Sequence, residues 1–143
     1  MPKPANEAVE ISELFATLFH EHKRRVMALA KEYGLTPQQS ATLWLLAPGQ
    51  RLAMSELAEL LMCDASNVTG IVDKMEARGL VRREQGEDRR VKVLTLTPDG
   101  EALRGEFHSR LIEPAAWVLA LSEEEQRTLC DLLRRAVASS TPS

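Results

Sequence analysis

Residues 54–100 read MSELAELLMCDASNVTGIVDKMEARGLVRREQGEDRRVKVLTLTPDG, and this stretch decides the fold. It contains two amphipathic patterns, at 55–61 and 65–78, with only a few residues between them. Ser55 and Asp64 stand at the start of these patterns and are residue types preferred as helix N-caps. Two short helices joined by so tight a turn predict a helix-turn-helix.

The period of the apolar residues changes after Gly79. Residues 80–85 and 90–97 are rich in β-prone side chains and flank the charged turn GEDR, which is typical of a β-hairpin. A hairpin directly behind the second helix makes the motif a winged helix-turn-helix. The sequence therefore predicts a mainly α fold with a small β-hairpin wing.

Composition narrows the class of protein further. The chain has 143 residues, a net charge of −3, 44% hydrophobic residues and two cysteines. These values are typical of one globular protein and exclude a disulfide scaffold. The longest apolar stretch, 115–121, is too short to cross a bilayer, and no signal peptide is expected, so we expect a cytoplasmic protein. We expect no metal or cofactor, and no enzyme, because the sequence offers no nucleophile–base pair, phosphate loop or paired carboxylates.

Charge is concentrated in one short stretch. Residues 78–92 hold six basic and three acidic residues, whereas the acidic excess lies in the C-terminal part of the chain. A helical wheel of residues 65–78 sets small polar residues opposite the apolar seam, which suits a helix that enters the DNA major groove. Asp73 is discordant on this face unless an arginine pairs with it. The residues predicted to contact DNA from this helix are Ser66, Asn67, Thr69, Gly70 and Lys74.

The arginines around the hairpin predict further DNA contacts. Arg89 and Arg90, at the tip, could enter a minor groove too narrow for a helix. Asp88 is expected to orient one of these guanidinium groups through a two-pronged bond. Phosphate contacts are predicted for Arg78, Arg82 and Arg83, although Arg82 and Arg83 alternate along a strand and only one of them need face DNA.

Residues 54–100 resemble the winged-helix core of the MarR (multiple antibiotic resistance regulator) family. The most specific elements are the run VTGIVDKMEARGLV, the Asp88-Arg89-Arg90 wing and the exit Leu96-Thr97-Pro98-Asp99-Gly100. The resemblance covers about residues 8–138. It implies a homodimer on pseudopalindromic promoter DNA, with release by a small aromatic or phenolic effector. By matched positions it assigns groove reading to residues 66, 67, 69 and 70, where Gly70 replaces the commoner larger polar residue, and minor-groove contact to Arg90.

The flanking segments complete the predicted organisation. Residues 1–33 form an N-terminal dimerisation helix, 34–97 the DNA-binding domain, and 98–143 the C-terminal dimerisation helices and tail. The outer segments, 1–33 and 98–138, are predicted to be long amphipathic helices, each with an apolar stripe. Few other elements of the chain could cover these stripes, so a partner chain is expected to do so.

The resemblance also implies an effector pocket where the dimerisation helices meet the DNA-binding domain. The candidates are aromatic or could pair with an anion, and core packing or a solvated surface remains the alternative for each. Cys63 and Cys130 are expected to be small buried residues and not sensors. The pocket candidates are Phe15, Phe19, Arg24, Trp44 and Trp117.

The function predicted from these features is a homodimeric DNA-binding transcription regulator, a repressor released by a small molecule. The alternative is a winged-helix module that docks a protein or an RNA partner without specificity for duplex DNA, since the fold alone does not fix the partner.

Overall fold

The computed structural model describes residues 6–140, and within them it is mainly helical with one small antiparallel sheet. This confirms the predicted fold class. The last three residues of the predicted C-terminal tail lie outside the described part. Over residues 6–140 the elements are α1 (Asn6–Glu32), α2 (Pro37–Leu45), β1 (Leu52–Ala53), α3 (Met54–Leu61), α4 (Ala65–Ala77), β2 (Val81–Gln85), β3 (Lys92–Leu96), α5 (Pro98–Leu111), α6 (Ala116–Leu119) and α7 (Glu123–Ser140).

Local capping explains where several helices begin. Thr36 accepts a hydrogen bond from the amide of Gln39, and the Gln39 side chain accepts one from the amide of Thr36, which starts α2. Ser122 and Glu125 form the same reciprocal pair before α7. The cap predicted at Ser55 is wrong, because α3 begins one residue earlier and Ala53 precedes it without a side-chain cap.

The sheet has the strand order β1-β3-β2, and both pairings are antiparallel. In the predicted hairpin, Val81 pairs with Leu96 and Gln85 with Lys92. Leu52 pairs with Leu94 on the other side of β3, which adds a third strand that the sequence did not predict. Two residues are too few to give a recognisable alternation.

Helices α1, α2, α3, α4 and α5 and the sheet share one apolar core. Leu43, Leu57 and Leu94 are fully buried in it, together with the inner side of α4. Gly100 sits where α5 leaves the sheet, and a Cβ there would overlap the carbonyl oxygen of Leu80. The glycine of the exit motif is therefore required by this close approach.

The chain divides into two compact units, one up to Leu111 and one from Ile112. In the second unit, Pro114 lies between α5 and the short α6, as its lack of an amide hydrogen predicts. Among residues 6–140, no helix combines the length and apolarity needed to cross a membrane. The predicted domain boundaries at 33/34 and 97/98 stay predictions.

Apolar residues remain exposed on two helices. On the N-terminal part of α1, Ile11 is 65% and Phe15 62% exposed, whereas Leu29 and Ala30 near its end are buried. On α7, Leu132 and Leu133 are about half exposed, and no residue of the described helix is buried. Each helix thus carries an apolar stripe that the single chain leaves in contact with solvent.

Candidate nucleic-acid interface

Helix α4 has one buried side and one exposed side. Val68, Val72 and Met75 are buried in the core, as the apolar seam predicts. The predicted groove-reading residues on the opposite side are all exposed. Packing therefore fixes the rotation of α4 about its axis and presents the polar face outward.

Asp64 organises the first turn of α4. Its carboxylate accepts 2.8 Å hydrogen bonds from the amide of Asn67 and from the hydroxyl of Ser66. These bonds, the one from the Asn67 amide first, hold the pKa of Asp64 below its usual value. The amide of Asn67 in the first turn of α4 is therefore already occupied by the cap.

The hydroxyls on the exposed side already donate within the chain. Ser66 donates to Asp64, and Thr69 donates to the carbonyl of Ala65 at 2.9 Å. Both oxygens can still accept a hydrogen bond, which suits the amino groups of adenine or cytosine. The side chains of Asn67 and Lys74 make no hydrogen bond or ion pair with other described residues.

Arg83 is the arginine partner of Asp73, the acidic residue on the exposed side of α4. It lies half-buried on β2 and pairs with both Asp73 and Glu76, the latter at 3.0 Å. The bond with Glu76, more than that with Asp73, raises the pKa of Arg83, and Arg83 in turn lowers the pKa of Glu76. Its guanidinium faces these two carboxylates and offsets one of their two negative charges. The structure therefore engages Arg83 within the chain, whereas the sequence predicts a phosphate contact for it.

Strand alternation separates Arg82 from Arg83 as expected. Arg82 is exposed, and its side chain makes no hydrogen bond or ion pair with other residues of the 6–140 range. Arg78 also differs from its prediction, because its guanidinium donates to the carbonyls of Gly34 at 3.0 Å and Tyr33 at 3.1 Å. Of the three arginines predicted to reach phosphates, the structure leaves Arg82 available.

The tip of the wing is closed by backbone bonds. The amide of Gly86 donates to Val91 at 2.8 Å, and the amide of Val91 donates to Asp88 at 2.9 Å. The Asp88 carboxylate accepts from the amide of Arg90 at 3.0 Å, so it braces the turn and does not clamp a guanidinium as predicted. The guanidinium groups of Arg89 and Arg90 have no hydrogen-bond or ion-pair partner within the described residues.

A groove of about 390 Å³ runs between the start of α3, α4 and the wing. It brings Arg90 of the wing beside Thr69 of α4, which unites the two predicted contact regions on one surface. Lys92 also lines it and was missing from the predicted interface. The signal that could have found it is its place at the start of β3, next to the tip, in the basic stretch.

Comparisons with known proteins agree with this geometry. The family model for the MarR family matches residues 33–91. The transcriptional repressor MdtR of Bacillus subtilis (strain 168) is 32% identical over 110 residues, which cover 76% of this chain and 71% of that protein. The chain belongs to the MarR family. At the level of the family, the prediction of a DNA-binding transcription regulator is confirmed.

Solved structures of MarR-family proteins share the fold. A MarR family protein from Bacillus stearothermophilus matches with a TM-score of 0.84 and 26% identity, over 99% of this chain and all of that one. The MepR–DNA complex of S. aureus matches with a TM-score of 0.64 and 28% identity, over 92% and 98% of the two chains. MepR therefore shows that DNA can be bound by a protein of this fold.

The predicted effector residues of this MarR-family chain are exposed and not packed in its core. Phe15 and Phe19 stack along one side of α1 with ring centroids 6.0 Å apart, and both are more than half exposed. Arg24 pairs with Glu21 at 3.3 Å on the same helix. Trp44 is 45% exposed. Core packing, the alternative for the aromatic candidates, is wrong for the single chain.

Trp44 has its own neighbours. Its ring stacks on the imidazole of His108 at 4.9 Å, and Arg104 lies 5.8 Å from its centre. Trp117, on α6 of the second unit, is 40% exposed. Its predicted place in an effector pocket stays a prediction.

The cysteines of this MarR-family chain differ from each other. Cys63 is half-buried against the core, close to its prediction. Cys130 is exposed on α7, so its predicted burial is wrong; the outward face of an amphipathic helix gives it no core to enter. Within residues 6–140, no group of three or more histidine, cysteine or acidic side chains could hold a metal ion.

Proposed function

We propose that the chain is a homodimeric repressor that places α4 in the major groove and the wing in the adjacent minor groove of pseudopalindromic promoter DNA. One observation carries the proposal. Thr69 on the polar side of α4 and Arg90 of the wing tip line the same groove, and the guanidinium groups of Arg89 and Arg90 have no hydrogen-bond or ion-pair partner among the described residues. The repressor of B. subtilis supports the sign of the regulation.

The proposed contacts divide by chemistry. Base edges are read by Ser66, Asn67, Thr69 and the open surface at Gly70. Minor-groove and phosphate contacts come from cations without an internal ion pair, while Asp88 holds the turn that carries them. Arg78 and Arg83 are left out of the direct contacts because their guanidinium groups are engaged. The contributing cations are Lys74, Arg82, Arg89 and Arg90.

The dimer is proposed from the exposed apolar stripes of α1 and α7. Ile11, Phe15 and Leu132 are each more than half exposed, which is costly on a surface that stays in water. A second copy offers the same stripes and can cover them by symmetry. Two copies set two α4 helices about one turn of DNA apart, roughly 10 base pairs.

A selection experiment tests the DNA proposal. The full chain is used to select duplexes from a randomised library, and binding of the winner is measured over a series of KCl concentrations. We expect a two-fold symmetric sequence and an affinity that falls steeply with salt, because bound cations displace counterions. Arg90→Ala removes one cation from each of the two copies and should lower the salt slope by about 1.8. A chain that binds no duplex, or binds it independently of salt, would favour the protein-docking or RNA-binding alternative.

We also propose that a small aromatic or phenolic effector releases the DNA, with Phe15, Phe19, Arg24 and Trp44 as its contacts. The exposed rings offer stacking surface, and an arginine can pair with a phenolate or carboxylate. Titrating salicylate into the protein–duplex complex while following tryptophan fluorescence tests this. Release with a fluorescence change that Trp44→Phe removes is the expected result. If salicylate releases the duplex from both Trp44→Phe and Arg24→Ala at the same concentration as from the wild type, this placement is contradicted.

A further inference from the structure

Arg78 joins two helices that are far apart in sequence. It is the residue that follows α4, and its guanidinium donates to the carbonyls of Gly34 and Tyr33, which follow the end of α1. The two bonds measure 3.0 and 3.1 Å, and they span 44 and 45 residues of sequence. The end of the recognition helix is therefore tied to the end of α1.

The accepting end of α1 is rigid. Gly34 has a φ of +66°, which lets the amide of Leu35 donate to Ala30 at 2.8 Å and its own amide donate to Lys31 at 3.0 Å. This is a Schellman-type end, which leaves the carbonyls of Tyr33 and Gly34 pointing out of the helix. A cation placed there also complements the negative end of the helix dipole.

The donating side is equally rigid. The amide of Gly79 donates to Glu76 at 2.9 Å and that of Leu80 to Met75 at 3.0 Å, so the backbone around Arg78 is fixed by the end of α4. On the other side, the Tyr33 hydroxyl donates to Glu106 of α5 at 2.9 Å. One guanidinium thus bridges the hydrogen-bonded end of α1 and the hydrogen-bonded end of α4.

Arginines hold two other helix ends in the same unit. Arg104 of α5 donates to the carbonyls of Leu43 and Trp44 at the end of α2, at 3.0 and 3.1 Å. Arg25 of α1 donates to the carbonyl of Arg110 at the end of α5, at 3.0 Å. Arg78 differs from these two because it comes from the helix that carries the proposed base contacts.

We propose that Arg78 is a positioning residue that sets the place of α4 relative to α1 and does not touch DNA. The inference rests on the proposed function, in which α1 belongs to the dimer and two α4 helices bind two half-sites together. Without Arg78, each α4 still reads its own half-site. The spacing of the two helices becomes less defined, so simultaneous binding weakens.

The test compares two duplexes. One is the duplex selected above, and the other has one half-site scrambled. Arg78→Ala should lose about tenfold in affinity for the intact duplex, stay within about twofold for the scrambled one, and keep the salt slope of the wild type. Arg82→Ala is the comparison variant, because the loss of one phosphate contact from each copy weakens binding to both duplexes alike and lowers the slope by about 1.8.

The outcomes separate this inference from the proposed function. Wild-type protein without salt-dependent duplex binding overturns the proposed function itself. If the wild type binds, an Arg78→Ala variant with an unchanged ratio between the two duplexes, or with a reduced salt slope, overturns the positioning role. Circular dichroism melting sets an assay temperature at which the variants are folded. Should Arg78→Ala be folded at no usable temperature, Arg78→Lys, which keeps the charge but loses the fork of donors, replaces it and must itself lower the ratio between the two duplexes. An unchanged ratio in Arg78→Lys overturns the positioning role.

Discussion

The two sides of α4 have different surroundings. Val68, Val72 and Met75 on the inner side are surrounded by other parts of the chain, while Asn67 and Gly70 on the outer side meet solvent. The inner side contributes to the stability of the fold and the outer side contributes to binding. Substitutions on the two sides should therefore move different measurements.

The largest effect is expected on the inner side, at Met75. This side chain is fully buried, so Met75→Ala should lower the free energy of unfolding by about 2–5 kcal/mol through lost burial and the cavity left behind. Urea denaturation followed by circular dichroism measures it. Lys74→Ala, one residue away on the exposed side, should change stability by less than about 0.5 kcal/mol. Equal losses in the two variants would break the division.

Asn67 is the matching residue on the outer side. Asn67→Ala should weaken binding to the selected duplex by about 1–3 kcal/mol for each half-site, the range for one good base contact. Stability should hardly change, because the bond from its backbone amide to Asp64 does not need the side chain. Fluorescence anisotropy with the duplex measures affinity, and urea denaturation is the control. An Asn67→Ala variant that binds like the wild type would remove this residue from the interface.

Substitution of Gly70 should raise the stability of the fold and weaken duplex binding. A Cβ added there meets nothing within 4 Å, and glycine inside a helix costs about 0.5–1 kcal/mol relative to alanine. Gly70→Ala should therefore stabilise the protein by that amount. The same methyl group would hold the helix backbone away from the base edges and weaken duplex binding. Tighter binding by the more stable variant would show that α4 does not approach DNA at this point.

The smallest expected effect is the pH dependence of the stability that the Arg83–Glu76 pair contributes. Arg83 lowers the pKa of Glu76 in the folded chain, so this pair stabilises the fold above the ordinary carboxylate range and loses its contribution as the pH falls through the lowered pKa. The stability difference between the wild type and Glu76→Gln should be constant from pH 6 to pH 8 and shrink in acid below about pH 4.5. Urea denaturation across that range measures it, and a difference that grows in acid would contradict the pairing.

The sequence predicts best those structural features that depend on residues close together in the chain. The apolar seam of α4, the cap at Asp64 and the hairpin all depend on residues a few positions apart, and the sequence predicts each of them. The strand β1 was not, because Leu52 and Ala53 are recognisable as a strand only beside β3.

The site was less predictable than the fold because cations look alike in sequence. Arg78, Arg82 and Arg83 form one basic run, yet Arg78 bonds to carbonyls 44 residues or more away and Arg83 turns to two carboxylates on α4. Arg82 alone of the three keeps an unpaired guanidinium among the described residues. The pattern predicts a basic surface, but only tertiary contacts decide which charges remain available.

The brace at the tip of the wing bears on how such a regulator could change its target. The Asp88 side chain and two backbone bonds close the turn, so the side chains at positions 87, 89 and 90 are not needed to keep its shape. They can be exchanged without rebuilding the ribbon, provided that Asp88 stays. The tip is thus a place where recognition can diverge between duplicated copies of the gene at little cost in folding.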